Sequence, residues 1–192
     1  MHDLFGVAPV PGFNQIEAAF TTAEERALIA RIDAEDLSPF RFQGWTGKRL
    51  TRSFGWNYDF DAARLAEADP IPGWLLPARD KAAALAGLDP GEFVQVLLIR
   101  YDPGAGIGWH RDRPVFEHVA GISLGNPATL RLRRRLSSGF ERASAHLAPC
   151  SIYHLSGTAR HDWEHSIAAM DVPRWSITFR SLSDKGRRIL QR

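Results

Sequence analysis

The stretch Tyr101-Asp-Pro-Gly-Ala-Gly-Ile-Gly-Trp-His110-Arg-Asp112 carries the strongest indication of fold and chemistry in this chain. A glycine-rich turn leads into His110 and Asp112, which are one residue apart. Residues i and i+2 of a β-strand point to the same face of a sheet, so the imidazole and the carboxylate are expected side by side. Two histidines and one carboxylate hold non-haem Fe(II) and leave coordination positions open. The stretch therefore predicts a metal site that needs one more histidine downstream.

The best candidate for that histidine is His165. His154 and His161 are the competing candidates, since His154 lies in the middle of a predicted strand and His161 in the loop before Trp163. His165 is preferred because it begins the stretch that returns to the last predicted strand. For each histidine the alternative interpretation is a buried side chain with satisfied hydrogen bonds and no metal.

That last strand, Arg174-Trp-Ser-Ile-Thr-Phe-Arg180, alternates with a period of two. One face is aromatic and aliphatic, and the other is polar with an arginine at each end. If the sheet is covered on both sides, the arginines need partners, because a buried unpaired charge is very costly. No run of acidic residues lies nearby in the sequence, and a small dicarboxylate cosubstrate would satisfy both arginines.

Length and composition favour one domain with a sizeable core, since the chain has 192 residues and 44% of them are hydrophobic. The net charge of +2 does not indicate a class of partner. The one cysteine, Cys150, excludes an intramolecular disulfide and a cysteine-rich zinc site. Neither a signal peptide nor an apolar run of about 18 residues is evident, so we expect a cytoplasmic protein that does not bind membranes. We also expect it to be a monomer.

Helices are predicted in the first half of the chain. Thr22-Ala-Glu-Glu25 has the spacing of a capping box and predicts a helix to about Ala34, with Thr22 as the N-cap. A short helix is expected between Asp59 and Asp69. A further helix is expected from Leu76 to Leu88, where helix-forming residues predominate. Residues 38–48 are interpreted as a loop.

Short strands bounded by turn residues are predicted in the second half. They are expected at residues 93–101, 119–124, 129–135, 142–147, 151–155 and 174–182. This order predicts an α+β fold, in which N-terminal helices buttress an antiparallel jelly-roll (double-stranded β-helix) core. We expect a single domain over residues 1–192, with helices and substrate-recognition strands in residues 1–92 and the catalytic core in residues 93–182.

Two basic segments are candidates for contact with nucleic acid. In the predicted strand 49–58, positive charge is interleaved with flat rings, which suits phosphate contacts and base stacking. In the strand 129–135, arginines at alternate positions share one face, as in a surface that binds phosphate. The alternatives are a partly buried strand with core aromatics and a solvated sheet face. The residues concerned are Arg49, Arg52, Trp56, Tyr58, Arg131, Arg133 and Arg135.

Other chemistries fit less well. A zinc hydrolase could use two histidines and a carboxylate, but it would not explain Arg174 and Arg180. No G-x-x-x-x-G-K-[ST] phosphate loop is present.

Together these motifs make the chain similar to the AlkB-type Fe(II)/2-oxoglutarate-dependent dioxygenases, as a divergent bacterial-type homologue. The resemblance covers residues 93–182 well and residues 49–58 more loosely. Its motifs are Tyr101-x-Pro-Gly-x-x-Ile-x-x-His110-x-Asp112, Ile122-Ser-Leu-Gly125, Leu155-Ser-Gly-x-Ala-Arg160, Trp163-Glu-His165 and Arg174-x-Ser-x-Thr-Phe-Arg180.

The resemblance implies a role for each matched residue. His110, Asp112 and His165 would bind Fe(II), and Tyr101 would donate a hydrogen bond to 2-oxoglutarate. Arg174 would pair with the distal carboxylate of 2-oxoglutarate, Arg180 would lie near its metal-bound end, and Ser176 would face it.

Two departures from the family pattern bear on affinity and substrate. The usual Asn-x-Tyr reads Ile99-Arg100-Tyr101, so an amide contact to 2-oxoglutarate is missing. Pro114 stands where the enzymes that repair methylated bases often carry an acidic residue.

The implied activity is an oxidative demethylation of alkylated bases in single-stranded or flipped-out nucleic acid, as in DNA repair, with O2 and 2-oxoglutarate as cosubstrates. The alternatives are a hydroxylase or demethylase of a protein side chain or small molecule, and a non-catalytic nucleic-acid-binding relative.

Overall fold

The computed structural model of the protein describes residues 8–42, 45–59 and 64–190. In chain order the strands are β1 (Phe13–Ile16), β2 (Ser38–Phe42), β3 (Trp45–Phe54), β4 (Trp56–Asp59), β5 (Arg64–Glu67), β6 (Phe93–Tyr101), β7 (Ile107–His110), β8 (Phe116–Leu124), β9 (Ala128–Arg135), β10 (Phe140–Leu147), β11 (Ser151–Leu155), β12 (Glu164–Ile167) and β13 (Arg174–Leu182). The helices are α1 (Thr22–Asp33), α2 (Leu76–Ala86), α3 (Gly157–His161) and α4 (Asp184–Leu190).

Two antiparallel sheets pack face to face. The large sheet has the spatial order β1-β11-β8-β13-β6-β3-β2, and the small sheet has the order β10-β9-β12-β7. Leu130 and Leu132 of the small sheet share a buried cluster with Val119 and Leu155 of the large sheet. A hairpin of β4 and β5 stands beside them. This is the double-stranded β-helix, or jelly roll, that the strand pattern predicts.

Strand β13 lies at the centre of the large sheet, between β6 and β8. Its apolar residues Ile177 and Phe179 are fully buried on the outer face, in a cluster with Leu28 and Ile32 of α1 and with residues of α2. Its polar residues point the other way, into the space between the sheets. The period-two prediction for this strand is therefore confirmed, and the helices cover the outer face of the large sheet.

Among the described residues, no helix is long and apolar enough to cross a membrane.

The start of α1 differs from the prediction by one residue. The capping box is made by Thr21 and Glu24, not by Thr22 and Glu25. The Glu25 carboxylate instead accepts a hydrogen bond of 2.8 Å from the backbone N–H of Gly125. Both pairs have the same sequence spacing, and the tertiary contact of Glu25 decides between them.

Two predictions for the first half of the chain are wrong. The loop expected at residues 38–48 contains β2 and the start of β3, which pair antiparallel. The helix expected between residues 59 and 69 is replaced, where the chain is described, by β5, which pairs with β4. Leu65 of β5 is buried against Phe116 and Leu182, so tertiary packing overrides its local helix propensity.

Candidate active site

A cavity of about 730 Å³ lies between the two sheets. Inward-facing residues of β3, β6 and β13 line the large-sheet side, and residues of β7, β9 and β12 line the small-sheet side. Its polar and charged lining includes Arg49, Thr51, Ser53, Asn57, Gln95, Tyr101, His110, Asp112, Tyr153, His165, Arg174, Ser176, Thr178 and Arg180.

His110, Asp112 and His165 meet on the small-sheet side of this cavity. His110 is the last residue of β7 and lies directly opposite His165 of β12 in the antiparallel register. Asp112 follows two residues beyond the end of β7, so it is positioned by a loop and not, as the H-x-D spacing suggested, by the strand itself. One ligand atom from each residue lies within 4.8 Å of the other two. The structure thus brings together the three residues selected from the sequence.

The protonation of the triad suits a divalent metal. Burial lowers the pKa of His110, and burial together with the nearby His110 lowers the pKa of His165 to about 3. Burial raises the pKa of Asp112, but Arg180 and the two histidines outweigh it and bring the net pKa well below the usual range. At neutral pH the site therefore presents two neutral imidazoles and one carboxylate.

Two hydrogen-bonding features orient the ligand atoms. Nδ1 of His110 donates to the carbonyl oxygen of Gly108 at 2.9 Å, so the lone pair of Nε2 stays free. Oδ2 of Asp112 is buried and accepts no hydrogen bond from any described residue, although Nε2 of His165 lies 3.6 Å away. An orphaned carboxylate oxygen beside two imidazoles fits Fe(II) in a site with two histidines and one carboxylate.

Arg180 and Arg160 hold Asp112 in place. Nε of Arg180 donates to Oδ1 of Asp112 at 2.6 Å, and Nη1 donates to Oε1 of Gln95 at 2.9 Å. Nη2 of Arg160 donates to the backbone carbonyls of Arg113 and Phe116, each at 2.7 Å, and so fixes the loop that carries Asp112. Arg180 therefore lies beside the metal site, and its direct described partner is the carboxylate of Asp112.

Arg174 lies at the other end of the polar face of β13. Its side chain is only 1% exposed, and Nη2 donates to Oγ of Ser123 at 3.1 Å. Its Nε and Nη1 are buried without a hydrogen-bond partner among the described residues. Tyr101 packs beside its guanidinium, with 5.4 Å between Cζ and the ring centroid, and Ser176 lies on the same strand face. Two unused donors on a buried cation fit a carboxylate ligand such as that of 2-oxoglutarate.

Sequence reasoning missed several residues of the cavity wall, among them Asn57, Gln95 and Tyr153. Tyr153 is buried, and burial raises its pKa to about 12. Its ring lies across Gly121, where an added Cβ would come within 2.3 Å of the ring carbon Cζ. A glycine inside a predicted strand often marks a close approach of another group, so Gly121 was the sequence signal for the contact with the Tyr153 ring.

The predicted nucleic-acid residues of β3 and β4 are divided between two faces. Arg49 points into the cavity. Arg52 lies on the opposite face of β3 and forms ion pairs of 3.0 Å with Glu35 and with Asp69. Trp56 packs against an apolar cluster around Leu65, which matches the alternative interpretation of a core aromatic. The side chain of Tyr58 lies outside the described residues.

Arg131 and Arg133 lie on the outer face of the small sheet, on the side away from the triad. Nε of Arg131 donates to Oγ of Ser166 at 3.1 Å, and Nε of Arg133 donates to a carboxylate oxygen of Glu164 at 2.6 Å. Both guanidinium groups lie over the Trp109 ring. They do not line the cavity, so the structure does not bring them together with the metal site.

Comparisons with known proteins agree with this geometry. Residues 36–189 match the 2OG-Fe(II) oxygenase superfamily. The chain is 25% identical over 187 residues to the "Alkylated DNA repair protein ALKBH8 homolog" of Arabidopsis thaliana, covering 82% of this chain and 51% of the relative. It is 24% identical over 187 residues to "Uncharacterized protein L905" of Acanthamoeba polyphaga mimivirus. That match covers 89% of this chain and 85% of the viral protein. The chain thus spans about half the length of the plant relative.

Two solved structures share the fold. OsALKBH1 superposes with a TM-score of 0.66 at 15% identity, covering 90% of this chain and 97% of that one. A Pseudomonas putida prolyl-4-hydroxylase superposes with a TM-score of 0.60 at 16% identity. The superposition covers 90% of this chain and 93% of the hydroxylase chain. Since the superfamily match spans most of the chain, the chain belongs to the 2OG-Fe(II) oxygenase superfamily.

Proposed function

We propose that this dioxygenase removes alkyl groups from nucleic-acid bases by oxidation, with Fe(II) held by His110, Asp112 and His165. The observation that carries the proposal is the cavity itself, which combines this triad with the unpaired donors of the buried Arg174. The substrate class is supported by the AlkB-type relatives, one of which is called an alkylated DNA repair protein.

The residues of the chain bind, orient and shield the reactants. Arg174 is positioned to pair with the distal carboxylate of 2-oxoglutarate, with Tyr101 and Ser176 beside it. Arg180 fixes the Asp112 carboxylate, and apolar side chains of the cavity wall, Leu97, Ile99, Ile107, Leu130 and Ile167, exclude water from the reacting groups. Bound Fe(II) and 2-oxoglutarate supply the chemistry, in which O2 oxidises a substrate C–H bond to C–OH and 2-oxoglutarate to succinate and CO2.

For an N-methyl substrate, the hydroxylated product N–CH2OH loses formaldehyde, and the nitrogen regains its proton. A base stacked in a duplex cannot reach the floor of a cavity, so the substrate base must be single-stranded or flipped out. The triad lies on the inner wall of the small sheet, and the methylated nitrogen of the base would have to reach it there.

The test is a demethylation assay on single-stranded oligonucleotides that each carry one N-methylated base. We expect formaldehyde and succinate in equal amounts. At a 2-oxoglutarate concentration that does not saturate the protein, both products should fall strongly in Arg174→Met and be retained in Arg142→Met, a control at an exposed position of β10. Oligonucleotides that yield neither product and do not bind at low salt would contradict the proposed substrate class.

A second candidate substrate is a protein side chain or a small molecule. The observation that favours it is Pro114, which offers no acidic group to read a base, in a fold shared with a prolyl-4-hydroxylase. In that case peptides or small molecules, but no oligonucleotide, would stimulate succinate formation.

A further inference from the structure

Arg49 is a charged residue of the cavity wall that the proposed mechanism does not use. It lies on β3, its side chain faces the same space as the triad, and it is only 9% exposed. It is close enough to Tyr101, Arg180, Asp112 and His110 to interact with them electrostatically, so it lies within reach of both the metal triad and Tyr101.

The guanidinium of Arg49 has no ion-pair partner among the described residues. Its Nε is buried without a hydrogen-bond acceptor, whereas Arg52, three residues later, pairs with two carboxylates. Its Cζ lies 3.9 Å from the centroid of the Phe40 ring, so the guanidinium packs over the face of that ring. Because a buried unpaired charge is costly, the position implies a ligand that supplies an acceptor.

The rest of the cavity wall points to the same kind of ligand. Besides Arg49 it includes Arg111, Arg113, Arg174 and Arg180, and within the described part of the chain its one carboxylate belongs to Asp112. A cationic ligand would meet a surplus of positive charge and no free acid. A ligand with carbonyl oxygens would accept hydrogen bonds.

We propose that Arg49 is a specificity-determining residue that donates hydrogen bonds to a carbonyl oxygen beside the methylated nitrogen of the substrate base. This inference rests on the proposed function and narrows its substrate class. The favoured substrates are neutral keto bases, such as 3-methyluracil, 3-methylthymine and 1-methylguanine, in which the N-methyl group is adjacent to a carbonyl. The disfavoured ones are 1-methyladenine and 3-methylcytosine, which are cations at neutral pH. 1-Methyladenine has no carbonyl, whereas 3-methylcytosine has one and is disfavoured by its charge.

The experiment uses the Fe(II)- and 2-oxoglutarate-loaded protein and single-stranded oligonucleotides that carry one of these bases. Dissociation constants are measured anaerobically by fluorescence anisotropy, and kcat/KM is measured in air by formaldehyde release. For wild type we expect at least 10-fold higher kcat/KM on keto bases than on cationic bases. Arg49→Met should weaken the binding of keto bases by about 10- to 100-fold, which is the usual effect of losing a charged hydrogen bond. It should also reduce the ratio of kcat/KM between keto and cationic bases.

Two further variants make the result specific. Arg49→Lys keeps the charge without the planar donor pair, so it should recover part of the affinity and show that the site tolerates substitution. Arg52→Met is the matched control on the opposite face of the same strand, and it should bind every oligonucleotide within twofold of wild type.

Each contrary outcome has a distinct meaning. Preference of the wild type for cationic bases, or an equal loss for both classes in Arg49→Met, overturns the role of Arg49 and leaves the proposed function standing. A loss of 2-oxoglutarate affinity in Arg49→Met that accounts for the whole effect also overturns it, because Arg49 would then bind the cosubstrate. Failure of wild type to bind or demethylate any of the oligonucleotides overturns both the proposed function and this inference.

Discussion

Arg174 and Arg180 lie on the same face of β13, yet their side chains have different partners. Arg180 donates hydrogen bonds to Asp112 and Gln95, so it orients the Asp112 carboxylate. Arg174 keeps two buried donors without a described partner, so it is left for a ligand. The alternation of the sequence predicted that both side chains point inward. The partner of Arg180 could not be predicted, because Gln95 lies on a strand that is distant in sequence.

A substitution of Arg180 is expected to lower the affinity of the protein for Fe(II). Arg180→Met should weaken Fe(II) binding by about 10- to 100-fold, because an outer-shell partner that fixes a ligating carboxylate typically contributes that much to metal affinity. The measurement is an anaerobic Fe(II) titration of the purified variant, with Arg142→Met as the control. An Fe(II) affinity within twofold of wild type would show that Asp112 does not depend on this hydrogen bond.

At the scale of single elements, strand parity explains why only part of the basic segment reaches the site. Arg49 and Arg52 are three residues apart on β3, so they must point to opposite faces of the sheet. The same parity places Asn57 of β4 on the cavity wall and Trp56 in an apolar cluster. The composition of residues 49–58 predicted a strand, but which face is inner depends on sheet pairings that lie far apart in the chain.

The position of the N-cap of helix α1 can be tested by mutation, because the sequence spacing fits both Thr21 with Glu24 and Thr22 with Glu25. Thr21→Ala should lower the free energy of unfolding by about 1 kcal/mol, because the N-cap hydroxyl accepts from the backbone N–H of Glu24. Thr22→Ala should change it by less than about 0.5 kcal/mol, as expected for an exposed position inside the first turn. Urea denaturation of both variants measures the difference. A larger loss for Thr22→Ala would place the cap where the sequence alone put it.

At the scale of the whole molecule, the jelly roll has two outer faces of different character. Helices cover the outer face of the large sheet, while the outer face of the small sheet presents arginines stacked on Trp109. The active site lies between the sheets, so residues distant in sequence must meet there. The sequence predicted the main strands of residues 93–182, the pair of His110 and Asp112 and the inward face of Arg174, because each follows from short-range spacing. His165 was selected by its position before the last strand. It could not predict the hairpin of β4 and β5, which depends on packing against Phe116 and Leu182.

The pH dependence of folding is another property of the whole molecule. Burial, with a smaller contribution from His118, lowers the pKa of His154 to about 4, while an unfolded histidine titrates near 6.5. Between these values the unfolded chain binds more protons, so stability is full above about pH 6.5 and falls as the pH drops toward 4.

We therefore expect the melting temperature of His154→Gln to fall less between pH 7 and pH 4.5 than that of wild type. His146→Gln, at an exposed position, is the control, and it should follow wild type. Both variants keep His165, so the difference reports on His154 together with its contact to His118. An unchanged pH dependence in His154→Gln would show that this histidine does not contribute to acid lability.

We propose that one cavity holds Fe(II) through His110, Asp112 and His165 and holds 2-oxoglutarate through Arg174. The most direct test is an anaerobic titration of Fe(II)-loaded protein with 2-oxoglutarate, in which the visible metal-to-ligand charge-transfer band is followed. We expect the band in wild type, its loss in His110→Ala, and a requirement for at least about 10-fold more 2-oxoglutarate in Arg174→Met. A wild-type protein that binds Fe(II) but never develops the band, or an Arg174→Met variant that titrates like wild type, would contradict the claim.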